Sequence, residues 1–190
     1  MRKLIVFMHA SLDGLAAGPN GEMDWIVVND EIFGFVEKLI SPVRAALYGR
    51  VTYQMMEGYW PTAASQPNAS RHDIEHARWY EQVEKIVLSR TLESARQPST
   101  RIVRDDVARQ VRDLKQQPGT DIVIFGSPGA SHSLMAEGLI DEYWLFVNPV
   151  LVGRGMPVFA GLRDKAALKL LESKVFSSGV AFLRYGSVNA

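Results

Sequence analysis

Apolar and polar residues alternate along the chain in blocks whose lengths are typical of strands and helices. Four short, continuous apolar runs predict strands that are buried on both faces of a sheet; they cover residues 4–8, 45–48, 86–88 and 122–125. The helices predicted between them cover residues 29–40, 52–57 and 105–116, the last of them capped by an aspartate. Strands and helices therefore alternate, which indicates an α/β protein with a largely parallel sheet.

The C-terminal part of the chain has a different pattern. A strand is predicted over residues 142–147, and two further strands over 168–175 and 180–185 are joined at Ser177-Ser178-Gly179 in the manner of a hairpin. We therefore expect the sheet to end in an antiparallel hairpin. No repeat or long linker interrupts the pattern, so we expect one domain over residues 1–190, with a loop over 60–70.

Composition narrows the range of partners. The 190 residues include 21 basic and 21 acidic side chains, so the formal net charge is zero. A neutral chain lacks the positive field that draws proteins to nucleic acid or anionic membranes, and any anion must be held locally. The lack of cysteine excludes disulfides and thiolate metal sites and suits a reducing compartment, so we expect a cytoplasmic protein. The apolar run LIVFM near the N-terminus is too short for a signal peptide.

Two predicted strands end in residues that can hold an anion. In YGRVTY (48–53), Gly49 lets the backbone turn, Arg50 offers a fork of donors and Thr52 can cap the next helix. In VLSRT (87–91), Ser89 and Arg90 follow the apolar strand and can donate hydrogen bonds. Because ligands of open α/β sheets gather beyond the carboxyl ends of the strands, we expect both turns at one edge.

A third strand end, FGSPGAS (125–131), runs through a glycine turn into a helix. Gly126 and Gly129 permit close approach of a ligand to the backbone, and Pro128 suits a first helical turn. The helix start presents unpaired N–H groups and a positive dipole end. Each motif alone is most often a tight connection, but the three together predict a site for a dinucleotide with several phosphates, such as NADP. The chain lacks GxGxxG, so a typical Rossmann site is not expected.

These residues resemble the dihydrofolate-reductase-like fold, and more closely its branch with the reductase domain of the bifunctional riboflavin-biosynthesis deaminase-reductase. SLDGLAAGPNGEMDW (11–25), YGRVTY and the long stretch from 126 to 159 are similar to signatures of that branch. The resemblance covers nearly the whole chain and implies a three-layer structure, a mixed sheet flanked by helices. The chain departs from the family in one turn, since Gly126-Ser127 stands where paired glycines are common.

The resemblance also implies an NADPH site. Nicotinamide contacts are expected near Ala16 and Ala17, and contacts to the adenosine 2′-phosphate from Arg50, Ser89 and Arg90, with Gly49 and Thr52 nearby. The expected pyrophosphate contacts come from one turn and helix start: Gly126, Ser127, Pro128, Gly129, Ala130 and Ser131. The implied activity is reduction of a C=N or C=O bond in a pterin, folate or pyrimidine-like riboflavin precursor, like that of dihydrofolate reductase or 5-amino-6-(5-phosphoribosylamino)uracil reductase.

The proton donor for such a reaction is less clearly marked. Asp30 and Glu31 are the catalytic candidates, because folate reductases carry an acidic residue on the first helix. The same acids can instead favour the first turn of a helix beside its positive dipole end. Asp13 can shape the first loop through backbone hydrogen bonds, and Trp25 can line the substrate pocket.

Three further hypotheses come from other stretches. His72, Glu75 and His76 have the residue order of an inverted zinc-peptidase motif, but the pattern is short, and we expect an exposed helix face rather than a zinc hydrolase. A non-catalytic NADP(H)-binding protein on the same fold stays open, since fold does not fix function. A homodimer is expected from the family, formed by the apolar stretch 143–152 unless that stretch is a buried strand. A zinc deaminase is excluded because it needs cysteines.

Overall fold

An eight-stranded sheet forms the centre of the computed structural model, which describes residues 1–97 and 99–188. The strands, in chain order, are β1 Leu4–Ser11, β2 Leu15–Ala17, β3 Ala45–Gly49, β4 Glu84–Leu88, β5 Thr100–Val103, β6 Ile122–Phe125, β7 Glu142–Asn148, β8 Met156–Pro157, β9 Leu168–Val175 and β10 Ala181–Ser187. The sheet order is β5-β4-β3-β6-β1-β7-β10-β9, and β2 pairs separately with β8. Neighbours from β5 to β7 are parallel, whereas β10 runs antiparallel to both β7 and β9. The predicted mixed sheet with a C-terminal hairpin is thus confirmed.

Among the described residues, five helices cover the two faces of the sheet. They are α1 Asp30–Ile40, α2 Arg50–Ala63, α3 Arg71–Gln82, α4 Val107–Gln116 and α5 Pro128–Ala136. Buried side chains of α1, α2 and α3 pack in one apolar cluster, and those of α4 and α5 pack in a second cluster. Alternate residues of β1 enter the two clusters, as the period of a strand requires, so the continuous apolar run is explained by burial on both faces. The result is the expected three-layer architecture.

Several boundaries differ from the sequence prediction. Strands β2, β5 and β8 were not predicted; β5 and β8 are short and only partly buried, so they lack a clear apolar run. Helix α2 continues through Pro61 to Ala63, into the stretch predicted as a loop. The predicted aspartate cap of α4 is wrong: Asp106 holds the N-cap position in a left-handed conformation, with φ of 47°, and its side chain makes no capping hydrogen bond.

Candidate functional site

A cleft of about 1810 Å³ runs along the edge of the sheet where the parallel strands end. Its volume exceeds the roughly 300–1,000 Å³ of an ordinary small-molecule pocket, so more than one ligand has room. The three predicted strand ends meet in its wall. The predicted cofactor residues that line it are Ala16, Ala17, Gly49, Arg50, Thr52, Ser89, Arg90, Gly126, Ser127, Pro128, Gly129 and Ala130. Their placement at one edge is as expected, while their contacts with a cofactor stay predictions.

The glycine turn after β6 keeps its tight geometry despite the serine. Gly126 and Ser127 both have left-handed backbones, with φ of 52° and 53°, a conformation that strains serine but not glycine. The Ser127 hydroxyl accepts a hydrogen bond from the N–H of Gly49 at 2.9 Å and donates one to the carbonyl oxygen of Phe125 at 2.9 Å. The serine therefore ties the end of β3 to the end of β6, which glycine cannot do.

Helix α5 begins directly after this turn. Pro128 lies in its first turn, as predicted, and has no N–H group. The N–H of Ser131 already donates to the carbonyl oxygen of Ser127 at 3.0 Å, and the Ser131 side chain is fully buried outside the cleft wall. The helix start therefore offers an anion the N–H groups of Gly129 and Ala130, together with the positive dipole end. Of the six residues predicted to hold pyrophosphate, Ser131 is the one that the structure places out of reach.

Arginines are concentrated at one end of the cleft. Those in its wall follow or lie near β3, β4 and β5, and they are Arg50, Arg90, Arg104, Arg109 and Arg112. The last three were not among the predicted site residues, because β5 was not predicted and the place of the residues after it was unknown. A helix-face pattern in α4 could have placed Arg109 and Arg112 on the cleft side.

Only some of these charges are neutralised by neighbours. Arg109 and Arg112 form ion pairs with carboxylates of Asp113 and Glu137, at 4.0 Å and 2.9 Å. Arg50 donates to the side-chain oxygen of an uncharged residue, Gln54, at 2.9 Å. Across residues 1–97 and 99–188, neither Arg50, Arg90 nor Arg104 has a carboxylate within ion-pair distance. This end of the cleft therefore has uncompensated positive charge suited to phosphate.

Asp13 holds the first loop in place. Its carboxylate accepts hydrogen bonds from the hydroxyl of Ser11 at 2.6 Å and from the N–H groups of Val152 at 3.1 Å and Gly153 at 2.7 Å. The hydrogen bond from Ser11, followed by that from Gly153, lowers the pKa of Asp13 from 3.8 to about 2. The expectation that Asp13 shapes this loop is confirmed.

A close backbone contact also fixes the loop on the β8 side. A Cβ atom at Gly155 would overlap the carbonyl oxygen of Ala17, so only glycine fits at this position. Because β2 pairs with β8 at this point, Ala16 and Ala17 are held in the cleft wall beside Met156. The segment expected to contact nicotinamide therefore has a defined position.

His9 lies at the carboxyl end of β1, and its ring lines the cleft beside Phe146, with 5.0 Å between the ring centroids. Burial lowers the pKa of His9 from 6.5 to about 4, so the imidazole is neutral near pH 7. The Asn148 amide nitrogen lies 3.4 Å from Nδ1 and donates its hydrogens to the carbonyl oxygens of Ala10 and Phe146, at 3.2 Å and 3.0 Å. His9 was not among the residues predicted for the site, because an isolated histidine in a strand usually packs or hydrogen-bonds.

The predicted catalytic acids lie elsewhere. Asp30 and Glu31 occupy the first turn of α1 and are absent from the cleft wall. Glu31 accepts hydrogen bonds from the hydroxyl and N–H of Ser177, at 2.7 Å and 3.0 Å, and these bonds lower its pKa. The structure thus favours the helix-end role for these acids over the catalytic one.

Two other candidates also have different surroundings from those predicted. The indole N–H of Trp25 donates to the carbonyl oxygen of Glu22 at 3.2 Å, and the side chain is outside the cleft wall, so it does not line a substrate pocket there. Thr52 lines the cleft but does not cap α2, because the helix begins at Arg50 with Gly49 as N-cap and no side-chain capping bond.

The predicted exposed face of α3 is wrong. The ring of His72 stacks on Phe33 with 3.7 Å between centroids, and the ring of His76 packs on Trp60 at 3.9 Å. Burial lowers the pKa of both histidines, that of His76 to about 3. In the part of the chain that the structure describes, no group of three or more histidine, cysteine, aspartate or glutamate side chains is arranged to hold a metal ion. The pair is therefore part of the packing between α1, α2 and α3.

Most of the apolar stretch 143–152, which was expected to pair subunits unless it was a buried strand, belongs to the interior strand β7; residues 149–152 follow the strand, and Leu151 is exposed. β7 pairs with β1 on one side and with β10 on the other, and its residues are largely buried. The strand β7 therefore has no free edge for a partner, and the homodimer stays a prediction without an assigned surface. Among the described residues, no helix has the length and apolar character needed to span a membrane.

Comparisons with known proteins agree with this geometry. A family model described as RibD C-terminal domain matches residues 2–182. The uncharacterized protein YyaP of Bacillus subtilis (strain 168) is 30% identical over 186 residues, which span 97% of this chain and 94% of that protein.

Solved structures share the fold at lower identity. A protein of Shewanella sp. PV-4 named for riboflavin biosynthesis has a TM-score of 0.74 and 24% identity, with 97% of this chain and 98% of that chain covered. A deaminase and 5-amino-6-(5-phosphoribosylamino)uracil reductase of Thermotoga maritima has a TM-score of 0.67 and 17% identity; the match covers 98% of this chain but 56% of that one. The chain has the expected dihydrofolate-reductase-like fold, and it belongs to the RibD C-terminal domain family.

Proposed function

We propose that this protein is an NADPH-dependent reductase that reduces a C=N or C=O bond of a ring compound. The observation that carries the proposal is the convergence of three strand ends on one cleft, with a glycine turn and helix start next to uncompensated arginines. Backbone donors at a helix start suit a pyrophosphate, and arginine is the usual partner of the 2′-phosphate that distinguishes NADP from NAD. Membership of a reductase-type family supports the same activity.

The dimensions of the cleft suit an extended dinucleotide. From β5 to β1 the sheet order takes four steps, and at about 4.8 Å between strands the distance is roughly 19 Å. The arginines lie at the β5 end, the start of α5 follows β6 in the middle, and Ala16 and Ala17 follow β1. The adenosine phosphate, pyrophosphate and nicotinamide would follow this order.

The residues near β1 would orient the acceptor. When bound, NADPH supplies a hydride to the acceptor carbon, and a proton from water completes the reduced nitrogen or oxygen. The neutral imidazole of His9 has one ring N–H, which would donate a hydrogen bond to that nitrogen or oxygen and so favour the negative charge that develops there. The loop held by Asp13 would exclude bulk water from the reacting atoms.

Binding of NADPH and NADH to the protein and to Arg50→Ala tests the proposal. Removal of a charge-assisted contact costs about 1.5–3 kcal/mol, so the variant should bind NADPH at least about 10-fold more weakly and NADH within about two-fold of the parent. Arg163→Ala, which removes an exposed arginine outside the cleft wall, is the matched control and should change neither affinity. An equal loss of both cofactors in Arg50→Ala would refute the role of Arg50.

Turnover distinguishes the reductase from a binding protein on the same fold. NADPH oxidation that depends on an added ring acceptor supports the reductase. Tight NADPH binding without oxidation by any folate, pterin or pyrimidine acceptor would instead favour a non-catalytic NADP(H)-binding protein. Failure to bind NADPH would contradict both functions.

A further inference from the structure

The end of the cleft near β1 is lined by flexible apolar side chains. Five of the seven methionines of the chain line the cleft; Met8, Met23 and Met156 lie on β1, in the loop after β2 and on β8, whereas Met55 and Met56 lie on α2 after β3. Ile26 and Val28 of the first loop extend the same wall. Thioether side chains are polarizable and adapt to flat, irregular ligands, so such a wall suits a ring compound.

Much of this apolar surface is open to solvent. The exposed fractions are 39% for Met23, 47% for Val28 and 45% for Met156. Large apolar side chains that are exposed in a concave wall mark a binding surface, because each would be stabilised by removal from water. An apolar ligand that covers these three side chains would gain this free energy.

Charge is distributed unequally between the two ends. Every arginine in the cleft wall follows β3, β4 or β5, or lies on α4. The described residues that line the other end lie on β1, on β2, in the loop after β2 or next to β8. None of them is lysine or arginine, and the one ionisable residue among them is His9. Because His9 is neutral near pH 7, this end offers no positive charge to a phosphate on the acceptor.

We propose that the acceptor substrate is an uncharged, flat ring compound with a reducible C=N or C=O bond, and that it has no phosphate group. The proposal rests on the proposed function, since it assumes that the arginine end holds the cofactor. It separates this chain from the Thermotoga maritima protein, whose name includes reduction of a phosphoribosylamino-uracil.

Equilibrium binding to the protein saturated with NADP⁺ tests this directly. The matched probes are 5-amino-6-(5-phosphoribosylamino)uracil and the same compound without its phosphate, measured by isothermal titration calorimetry. We expect the uncharged compound to bind at least 10-fold more tightly and to be the better acceptor for NADPH oxidation. Tighter binding of the phosphorylated compound, or binding of neither compound, would overturn the proposal. Because NADPH binding is measured separately, this failure is distinct from failure of the cofactor site.

Variants of Met23 in the first loop sharpen the test. Met23→Lys adds the missing positive charge and should improve binding of the phosphorylated probe about 10-fold relative to binding of the unphosphorylated probe. Met23→Gln is the neutral control and should leave the ratio of the two affinities unchanged. Arg154 is an exposed cation beside Gly155 but outside the cleft wall, so Arg154→Gln should leave both probes unchanged. A large loss of phosphorylated-probe binding in Arg154→Gln would show a phosphate site and contradict the proposal.

Discussion

The hydroxyl of Ser127 is expected to stabilise the fold although its backbone is strained. The side chain is 4% exposed, and it links Gly49 of β3 to Phe125 of β6 through two hydrogen bonds of 2.9 Å. Ser127→Ala leaves the Gly49 N–H without its partner and keeps the left-handed backbone. Since an unsatisfied buried donor costs about 1–3 kcal/mol, we expect a loss of about 2 kcal/mol in the free energy of unfolding.

Two other variants separate the effect of the lost hydrogen bonds on stability from the effect of backbone strain. Ser127→Gly loses the same bonds but relieves strain of about 1 kcal/mol, so its net loss should be about 1 kcal/mol. Ser131→Ala is the control on the same helix, since the Ser131 hydroxyl is fully buried and has no hydrogen-bond partner among the described residues. Removal of an unpaired buried hydroxyl should raise the free energy of unfolding by about 1 kcal/mol.

Urea unfolding measures all three variants. With a slope of about 2 kcal/mol per molar urea, Ser127→Ala should lower the midpoint by roughly 1 M, and Ser131→Ala should raise it. The order of stability is therefore expected to be Ser131→Ala, parent, Ser127→Gly and Ser127→Ala. Equal midpoints for the two alanine variants, or a Ser127→Gly variant less stable than Ser127→Ala, would refute the reasoning.

Three further predictions concern titration and the site. Burial lowers the pKa of His76 from 6.5 to about 3, so the folded protein binds a proton at this ring less readily than the unfolded chain does. The contribution of His76 to the free energy of unfolding is therefore complete above pH 6.5, and it falls by about 1.4 kcal/mol per pH unit below that pH. Urea unfolding at pH 6.5 and 5 should therefore show a smaller loss in His76→Phe. His9→Leu should lower the turnover number at least about 10-fold with NADPH affinity little changed, whereas Asp30→Asn and Glu31→Gln should stay within about two-fold in steady-state assays. Asp13→Ala should weaken NADPH binding several-fold in a fluorescence titration, because the loop near the nicotinamide loses its anchor.

The parts of the fold that were predicted from the sequence have strong local signals. β1 and β6 are continuous apolar runs because both faces of each strand are covered by helices. β5 was missed because Thr100–Val103 is a short edge strand that is only partly buried. The same difference explains which site residues were predicted. The residues that follow apolar strands were predicted, whereas the arginines that follow β5 were not.

Long-range contacts account for the errors in the candidate residues. Glu31 is held by Ser177, 146 residues away in the chain, and nothing local to either residue indicates this contact. The stacking of His72 on Phe33 is also a contact between residues far apart in the chain, and the local helix pattern that suggested an exposed face does not indicate it. The place of His9 in the cleft likewise depends on which strands lie beside β1, and the sequence alone does not specify that order.

A crystal structure with NADP⁺ bound tests the central claim most directly. We expect the adenosine 2′-phosphate beside Arg50 and Arg90, the pyrophosphate at the N–H groups of Gly129 and Ala130, and the nicotinamide near Ala17. A dinucleotide bound outside this cleft, or bound in the reverse direction with its nicotinamide at the arginine end, would contradict it.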